Sequence, residues 1–313
     1  MPDVVITEFM DEDAIREGLK GFDVLYDPKL VDREQDLMRA LAEARAIIVR
    51  NRTQVRAPLL AAAPMLQVVG RLGVGLDNID VAACKDRRIA VYPASGANDV
   101  SVAEYVIATA MLLLRGAYHA TDRVTVGAWP RNDLMGREIL GKRLGLVGFG
   151  AIAKETAKRA AALGMTVCAY DPFVPADSPA WSQPWGRAEP LGFDDLVASC
   201  DVISLHVPLT QETHSLIGRE ALARMRKDAI LINAARGGVV DEAALAAALK
   251  EGRLGGAALD VFEEEPLSAA RGEVFVGCPN LVLTPHIAGV TRESNVRVSW
   301  VTVENVRKHL MGA

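Results

Sequence analysis

Aromatic residues are scarce in this 313-residue chain, at 5% of positions, although half of its residues are hydrophobic. Alanine, valine and leucine supply the apolar bulk, which is the composition of buried parallel sheet covered by helices. Cysteine is scarcer still: Cys84, Cys168, Cys200 and Cys278 lie far apart with no CxxC pair. This spacing suggests neither a metal site nor a disulfide framework, and it points to a reducing compartment. Long hydrophobic runs are missing too. The longest, Tyr105 to Leu114, lies between Glu104 and Arg115 and is about half the length of a membrane helix. The N-terminus, MPDVVITEFMDED, carries acids where a signal peptide carries bases. There is no basic excess either: the net charge is -5 with both signs interspersed, which argues against nucleic acid or an anionic membrane as a partner. What remains is a cytoplasmic protein of the α/β class.

At this length two domains are expected. Short apolar runs alternate with helical segments almost throughout: VVI at 4–6, AIIV at 46–49, LQVVG at 66–70, RLGLVG at 143–148, MTVCAY at 165–170, DVISL at 201–205, AILIN at 229–233, AALDV at 257–261 and LVL at 281–283. That alternation predicts βαβ units and parallel sheets. NDVSVAEYVIATAMLLLRGAY, 98–118, reads as one long buried helix capped by Asn98 or Asp99, crossing from the first domain into the second. The last helix, about 290–310, places Val296, Trp300, Val303 and Val306 at helical spacing and has no sheet of its own to cover. It is expected to return to the first domain; the alternative is that it closes the second. Proline and tryptophan crowd into 171–190, DPFVPADSPAWSQPWGRAEP, which reads as an irregular surface loop.

LGLVGFGAIAKETA sets a strand against Gly148-x-Gly150-x-x-Ala153 and then a helix. The first glycine permits the tight turn, the second lets backbone approach a pyrophosphate, and small Ala153 lets helix and strand pack closely. A second strand then ends in Asp171, 21 residues after Gly150. An acid there accepts hydrogen bonds from an adenosine ribose and repels a 2′-phosphate, so the cofactor is expected to be NAD and not NADP.

Three further motifs follow strands. INAARGGVVD puts Arg236 beyond 229–233, LDVFEEEP puts Glu265 beyond 257–261, and LTPHIAG puts His286 beyond 281–283. Ligands of open parallel sheets bind outside the carboxyl ends of the strands, so the three side chains should converge there. Oxidising a 2-hydroxy acid removes a hydroxyl proton as a hydride leaves carbon, and an imidazole serves both directions of that proton transfer near neutrality. His286 would be base in oxidation and acid in reduction. Glu265 on the other ring nitrogen would fix the tautomer and favour the imidazolium. Arg236, permanently charged and forked, can hold the substrate carboxylate and polarise the reacting C–O bond.

With VGRLGVGLDNID upstream and HVPLTQET between them, these motifs make nearly the whole chain resemble the D-isomer-specific 2-hydroxyacid dehydrogenase family, in its 3-phosphoglycerate dehydrogenase-like branch. The resemblance implies two doubly wound parallel-sheet domains: a Rossmann NAD domain, 99–290, inserted into a discontinuous flavodoxin-like substrate domain, 1–98 plus 291–313. It implies a homodimer joined through the NAD domains, with Arg236, Glu265 and His286 as the catalytic three. Ala151, Ile152, His206, Pro208, Thr213 and Ala234 would join Gly148, Gly150 and Asp171 around the cofactor, with Arg236 and His286 beside it and Asp260 on the nicotinamide amide. Backbone N–H groups around Val74 and Gly75 would bind the substrate carboxylate. The regulatory domains of longer phosphoglycerate dehydrogenases are expected to be absent.

Arg50 and Arg52 end the strand 46–49, with Arg71 nearby in sequence. In the family geometry they face the cleft, and two arginines suggest a second anionic group on the substrate, a 3-phospho or 3-sulfo group. VRNRTQV and GANDVSVAEYVIATAMLLLRG further resemble bacterial sulfolactate dehydrogenases of this branch. A general hydroxypyruvate or glyoxylate reductase is the alternative. A non-catalytic NAD(H)-sensing corepressor is the alternative of another class, though the extended tails of such proteins are not expected here.

Overall fold

The computed structural model describes residues 2–312. The chain divides into two compact units, Met1–Asn98 with Val290–Ala313, and Asp99–Gly289.

The first unit is built on strands β1 (Val4–Ile6), β2 (Val24–Tyr26), β3 (Ala46–Val49), β4 (Val68–Arg71) and β5 (Ala90–Pro93). They pair in parallel in the order β2-β1-β3-β4-β5, so the direction of winding reverses between β1 and β3. The helix Arg292–Leu310 packs on this sheet. Its start is fixed by a capping box, with Ser294 N–H on Thr291 Oγ1 at 3.0 Å and Thr291 N–H on Ser294 Oγ at 2.8 Å. The buried stripe is Val298, Thr302, Val303, Val306 and Leu310, whereas Val296 is 42% exposed. The expected stripe was therefore misplaced at its first member, because small polar side chains take part in it. Thr302 and Val306 come so close to β4 that a Cβ on Gly70 would lie 2.7 Å from a Val306 methyl.

In the second unit the strands are β6 (Arg143–Val147), β7 (Thr166–Tyr170), β8 (Ser182–Gln183), β9 (Gly186–Arg187), β10 (Glu189–Pro190), β11 (Val202–Leu205), β12 (Ile230–Asn233), β13 (Gly256–Leu259) and β14 (Leu281–Leu283). Seven of them form one parallel sheet in the order β10-β7-β6-β11-β12-β13-β14, doubly wound with its switch point between β6 and β11. The helices Asp99–Arg115 and Ala151–Ala162 pack against each other beside this sheet. Segment 171–190 is more ordered than its composition suggests: β8 and β9 pair antiparallel, and β10 joins the sheet edge. Trp181 is 1% exposed, its ring 5.0 Å from that of Phe149 and its Nε1–H on the Pro175 carbonyl at 2.8 Å.

Candidate active site

The glycine loop follows β6, at the switch point of the second sheet. Gly148 sits at φ 90, and a Cβ there would lie 2.5 Å from the His206 carbonyl oxygen. Gly150 caps the helix Ala151–Ala162, and nothing lies within 4 Å of where its Cβ would be. The result is a bare cradle at a helix N-terminus, whose first N–H groups, including those of Ala151 and Ile152, have no partner within the helix and favour an anion. Asp171, directly after β7, accepts from Phe149 N–H at 2.9 Å and from Phe173 N–H at 3.0 Å. Each carboxylate oxygen is thus fixed beside the loop with a lone pair left for a ribose hydroxyl. Across the switch point, His206 N–H bonds the Val147 carbonyl at 2.7 Å, and its Nε2 lies 3.0 Å from Ser204 Oγ. Desolvation pushes this imidazole down to about 4, so it is neutral near pH 7. Thr213 Oγ1 donates to the Pro208 carbonyl at 2.6 Å and accepts from Thr210 N–H at 2.7 Å, closing the loop after β11. These groups fit a dinucleotide: a pyrophosphate on the cradle and a ribose on Asp171.

Arg236 lies three residues beyond β12, after Ala234. Asn233, 1% exposed, braces this turn by donating to the Arg236 carbonyl at 2.9 Å and accepting from Ala235 N–H at 3.1 Å. Gly237 lets the turn touch the loop after β13, since a Cβ there would overlap the Phe262 carbonyl oxygen at 1.7 Å. Glu265 belongs to that second loop. Its Oε1 accepts from Phe262 N–H at 3.0 Å and its Oε2 lies 2.7 Å from His286 Nδ1. Desolvation alone would push the Glu265 carboxyl up; the His286 hydrogen bond and charge, the Phe262 N–H and the Arg236 charge outweigh it and hold the carboxyl below its ordinary value. Glu265 is therefore an anion at neutral pH. His286 Nδ1 is committed to it, which leaves Nε2 for chemistry.

His286 has φ 55, a left-handed conformation that is uncommon for a non-glycine residue. Asp260 imposes it. The Asp260 carbonyl accepts from His286 N–H at 2.8 Å, and its carboxylate takes Thr284 Oγ1–H at 2.6 Å and the N–H groups of Ile287 and Ala288, each at 2.8 Å. Since the Thr284 hydroxyl donates its one hydrogen to Asp260, Tyr105, 2.7 Å away, must donate to Thr284. Asp260 is 1% exposed, so in this structure its side chain builds the turn that carries His286. Sequence reasoning missed that task and gave the residue only a cofactor contact.

In the first unit, Arg50 and Arg52 follow β3 at the β1/β3 switch point but have different surroundings. Glu8, 4% exposed, accepts from the N–H groups of Arg50, Arg52 and Thr53 at 2.9, 3.1 and 3.0 Å, and Asn78 donates to the Arg50 and Thr53 carbonyls. The Arg50 side chain is buried. Its Nε donates to the Phe9 carbonyl at 3.2 Å, its Nη2 to Asn295 Oδ1 at 2.6 Å, and its Cζ lies over the Phe9 ring, 3.9 Å from the centroid. Desolvation pulls it down to about 10, still charged at neutral pH. The Arg52 guanidinium, in contrast, is more than half exposed and pairs with Asp32. The two guanidinium groups thus differ in partners and exposure, one held by neutral groups and buried, the other paired with a carboxylate at the surface. Val74 and Gly75 lie on the loop after β4, with Val74 38% exposed. Glu8 and Asn295 were not singled out from sequence; an acid directly after the apolar run VVIT was the one available signal.

Residues 107–288 match the family model described as D-isomer specific 2-hydroxyacid dehydrogenase, NAD binding domain. Over 310 residues the chain is 57% identical to (S)-sulfolactate dehydrogenase of Chromohalobacter salexigens, with 99% of each covered. It is 42% identical to D-3-phosphoglycerate dehydrogenase of Archaeoglobus fulgidus over 97% of this chain but 56% of that relative, so it spans little more than half of the longer protein. The solved structure of Aquifex aeolicus D-lactate dehydrogenase complexed with NAD and lactic acid superposes with a TM-score of 0.84 at 30% identity, covering 99% of this chain and 97% of that one. The protein thus belongs to the D-isomer specific 2-hydroxyacid dehydrogenase family, NAD-dependent oxidoreductases of 2-hydroxy and 2-keto acids.

Proposed function

We propose that this enzyme interconverts a 2-hydroxy acid bearing a second anionic group on C3 and the corresponding 2-keto acid, with 3-sulfolactate and 3-sulfopyruvate as the pair. The observation that carries the chemistry is the 2.7 Å contact between His286 Nδ1 and an ionised Glu265, at the carboxyl end of a parallel sheet whose glycine loop fits a dinucleotide. His286 Nε2 takes the hydroxyl proton in oxidation and returns it in reduction. Glu265 sets the tautomer and stabilises the imidazolium that forms. Arg236 holds the substrate carboxylate and polarises the C2–O bond, and the N–H groups around Val74 and Gly75 add donors to that carboxylate. NAD, when bound, supplies hydride acceptance in one direction and donation in the other.

The charge of Arg50 supports a second anion on the substrate, and the identity with the sulfolactate enzyme favours a sulfonate over a phosphate. The D-family geometry agrees, because replacing the methyl of D-lactate by a sulfomethyl group changes the priority order, so the same spatial arrangement is named S. Arg52 is left out of this role because of its pairing with Asp32. Four free cysteines suit the reducing cytoplasm. A homodimer through the second unit is supported by an apolar segment there that is largely exposed in the single chain: Tyr118 64%, Val126 82%, Trp129 75%, Met135 81% and Leu140 66%. The test of substrate is kcat/KM with NADH for 3-sulfopyruvate, 3-phosphohydroxypyruvate, hydroxypyruvate and pyruvate. A charge-assisted contact contributes about 1.5–3 kcal/mol, roughly ten- to a hundredfold, so sulfopyruvate should lead hydroxypyruvate by at least about tenfold. Equal values would make the enzyme a general hydroxypyruvate or glyoxylate reductase.

A further inference from the structure

We infer that Asn295 and Phe9 are specificity-determining positioning residues: they hold the Arg50 guanidinium in one orientation without neutralising it, and so set the preference for a substrate with a second anion. The inference rests on the reading of Arg50 as the receptor of that anion. Its own basis is the chemistry of the groups around the guanidinium. Nε is fixed by a backbone carbonyl, Nη2 by an amide oxygen, and one face by an aromatic ring. All three are neutral. Each takes up a direction of the guanidinium while leaving its formal charge uncompensated by a bonded carboxylate. Glu8, the acid at hand, acts on the guanidinium through its charge but spends its oxygens on the backbone N–H groups of Arg50, Arg52 and Thr53 and does not bond it. The remaining amino group, Nη1, has no partner among the described residues and is not a buried orphan.

Arg52, two positions along, shows the opposite treatment, with a carboxylate partner on an open surface. The place matters as well. Phe9 follows β1 and Arg50 follows β3, the two strands between which the first sheet reverses its winding, and such a switch point is where doubly wound sheets bind ligands. Asn295 reaches the same point from the opening turns of the helix Arg292–Leu310, whose start is locked by the Thr291–Ser294 capping box. A charged fork clamped by neutral acceptors at a switch point is a preorganised anion receptor, because little side-chain freedom is left to lose when the anion arrives.

The experiment measures the ratio of kcat/KM for 3-sulfopyruvate to that for hydroxypyruvate in wild type, Asn295→Asp, Asn295→Ala, Phe9→Leu, Arg50→Met and Arg52→Met, with melting temperatures of all six. Asn295→Asp gives Arg50 a carboxylate of its own and should lower the ratio at least tenfold, with the loss in KM for sulfopyruvate and not in kcat. Asn295→Ala and Phe9→Leu loosen the clamp without adding charge and should each lower it about three- to tenfold; they also decide the matter should Asn295→Asp fail to fold. Arg52→Met should keep the wild-type ratio. If Arg50→Met abolishes the preference while the Asn295 and Phe9 variants retain it, the clamp is not what sets specificity and the inference is overturned, although Arg50 stands as the receptor. If Arg50→Met itself retains the preference, the underlying reading of Arg50 falls.

Discussion

Replacing Glu265 by Gln keeps the shape of the side chain and reverses one of its hydrogen-bonding edges. In the native site both oxygens accept, Oε1 from Phe262 N–H at 3.0 Å and Oε2 from His286 Nδ1 at 2.7 Å. A glutamine has one acceptor and one donor for these two positions. If its oxygen stays on His286, its amino group faces the Phe262 N–H, donor against donor. If it flips, its amino group faces Nδ1, which must then be unprotonated, and the proton moves to Nε2. Nε2 can then no longer take a proton from a substrate hydroxyl. Either way the charge-assisted bond is lost, at about 1.5–3 kcal/mol, and turnover should fall roughly ten- to a hundredfold or more. The assay is steady-state NADH oxidation with sulfopyruvate and the reverse reaction with sulfolactate, together with a fluorescence titration of NADH. The decrease should appear in kcat in both directions with NADH affinity nearly intact. A Glu265→Gln enzyme within threefold of wild type in both directions would refute the reasoning.

The other predictions concern the cofactor site. Asp171→Ser should weaken NADH and narrow its advantage over NADPH, because the anion that repels a 2′-phosphate is gone; comparable wild-type use of NADH and NADPH would show that Asp171 does not discriminate. His206, with a folded value near 4 against about 6.5 unfolded, takes up its proton more readily in the unfolded chain. Its contribution to stability is therefore constant above about pH 6.5 and lost progressively as pH falls towards 4, on the order of 2 kcal/mol by pH 5. Denaturant unfolding at pH 7.5 and pH 5 should show His206→Asn losing less on acidification than wild type, and equal losses would contradict the assignment.

Much of this site was legible in the sequence because the relevant positions are dictated locally. A glycine at φ 90 against a carbonyl leaves no room for another residue, and buried central strands demand continuous apolar runs such as RLGLV and AILIN. The strands that escaped, β2, β5, β10 and the short pair β8 and β9, all lie at sheet edges, where one side of the strand has no neighbour. There VLY, AVYP with its terminal proline, and EP need no such run. Trp181 escaped for another reason: its burial depends on Phe149, more than thirty positions away, so composition alone placed it at the surface. The same holds for the supporting residues. Asp260 braces His286 across 27 and 28 positions through Ile287 and Ala288, and Asn295 reaches Arg50 across 245. No spacing rule connects such pairs, and only the folded chain reveals that Arg50 and Arg52, alike in sequence, differ in charge environment.

The central claim is that His286 moves the proton in the redox reaction, and the measurement that bears on it most directly is turnover of His286→Ala beside its NADH affinity. A general acid–base contributes about two to four orders of magnitude, so kcat should fall by that amount in both directions with sulfopyruvate and sulfolactate, while the NADH dissociation constant changes little. A His286→Ala enzyme that turns over within threefold of wild type would contradict the account.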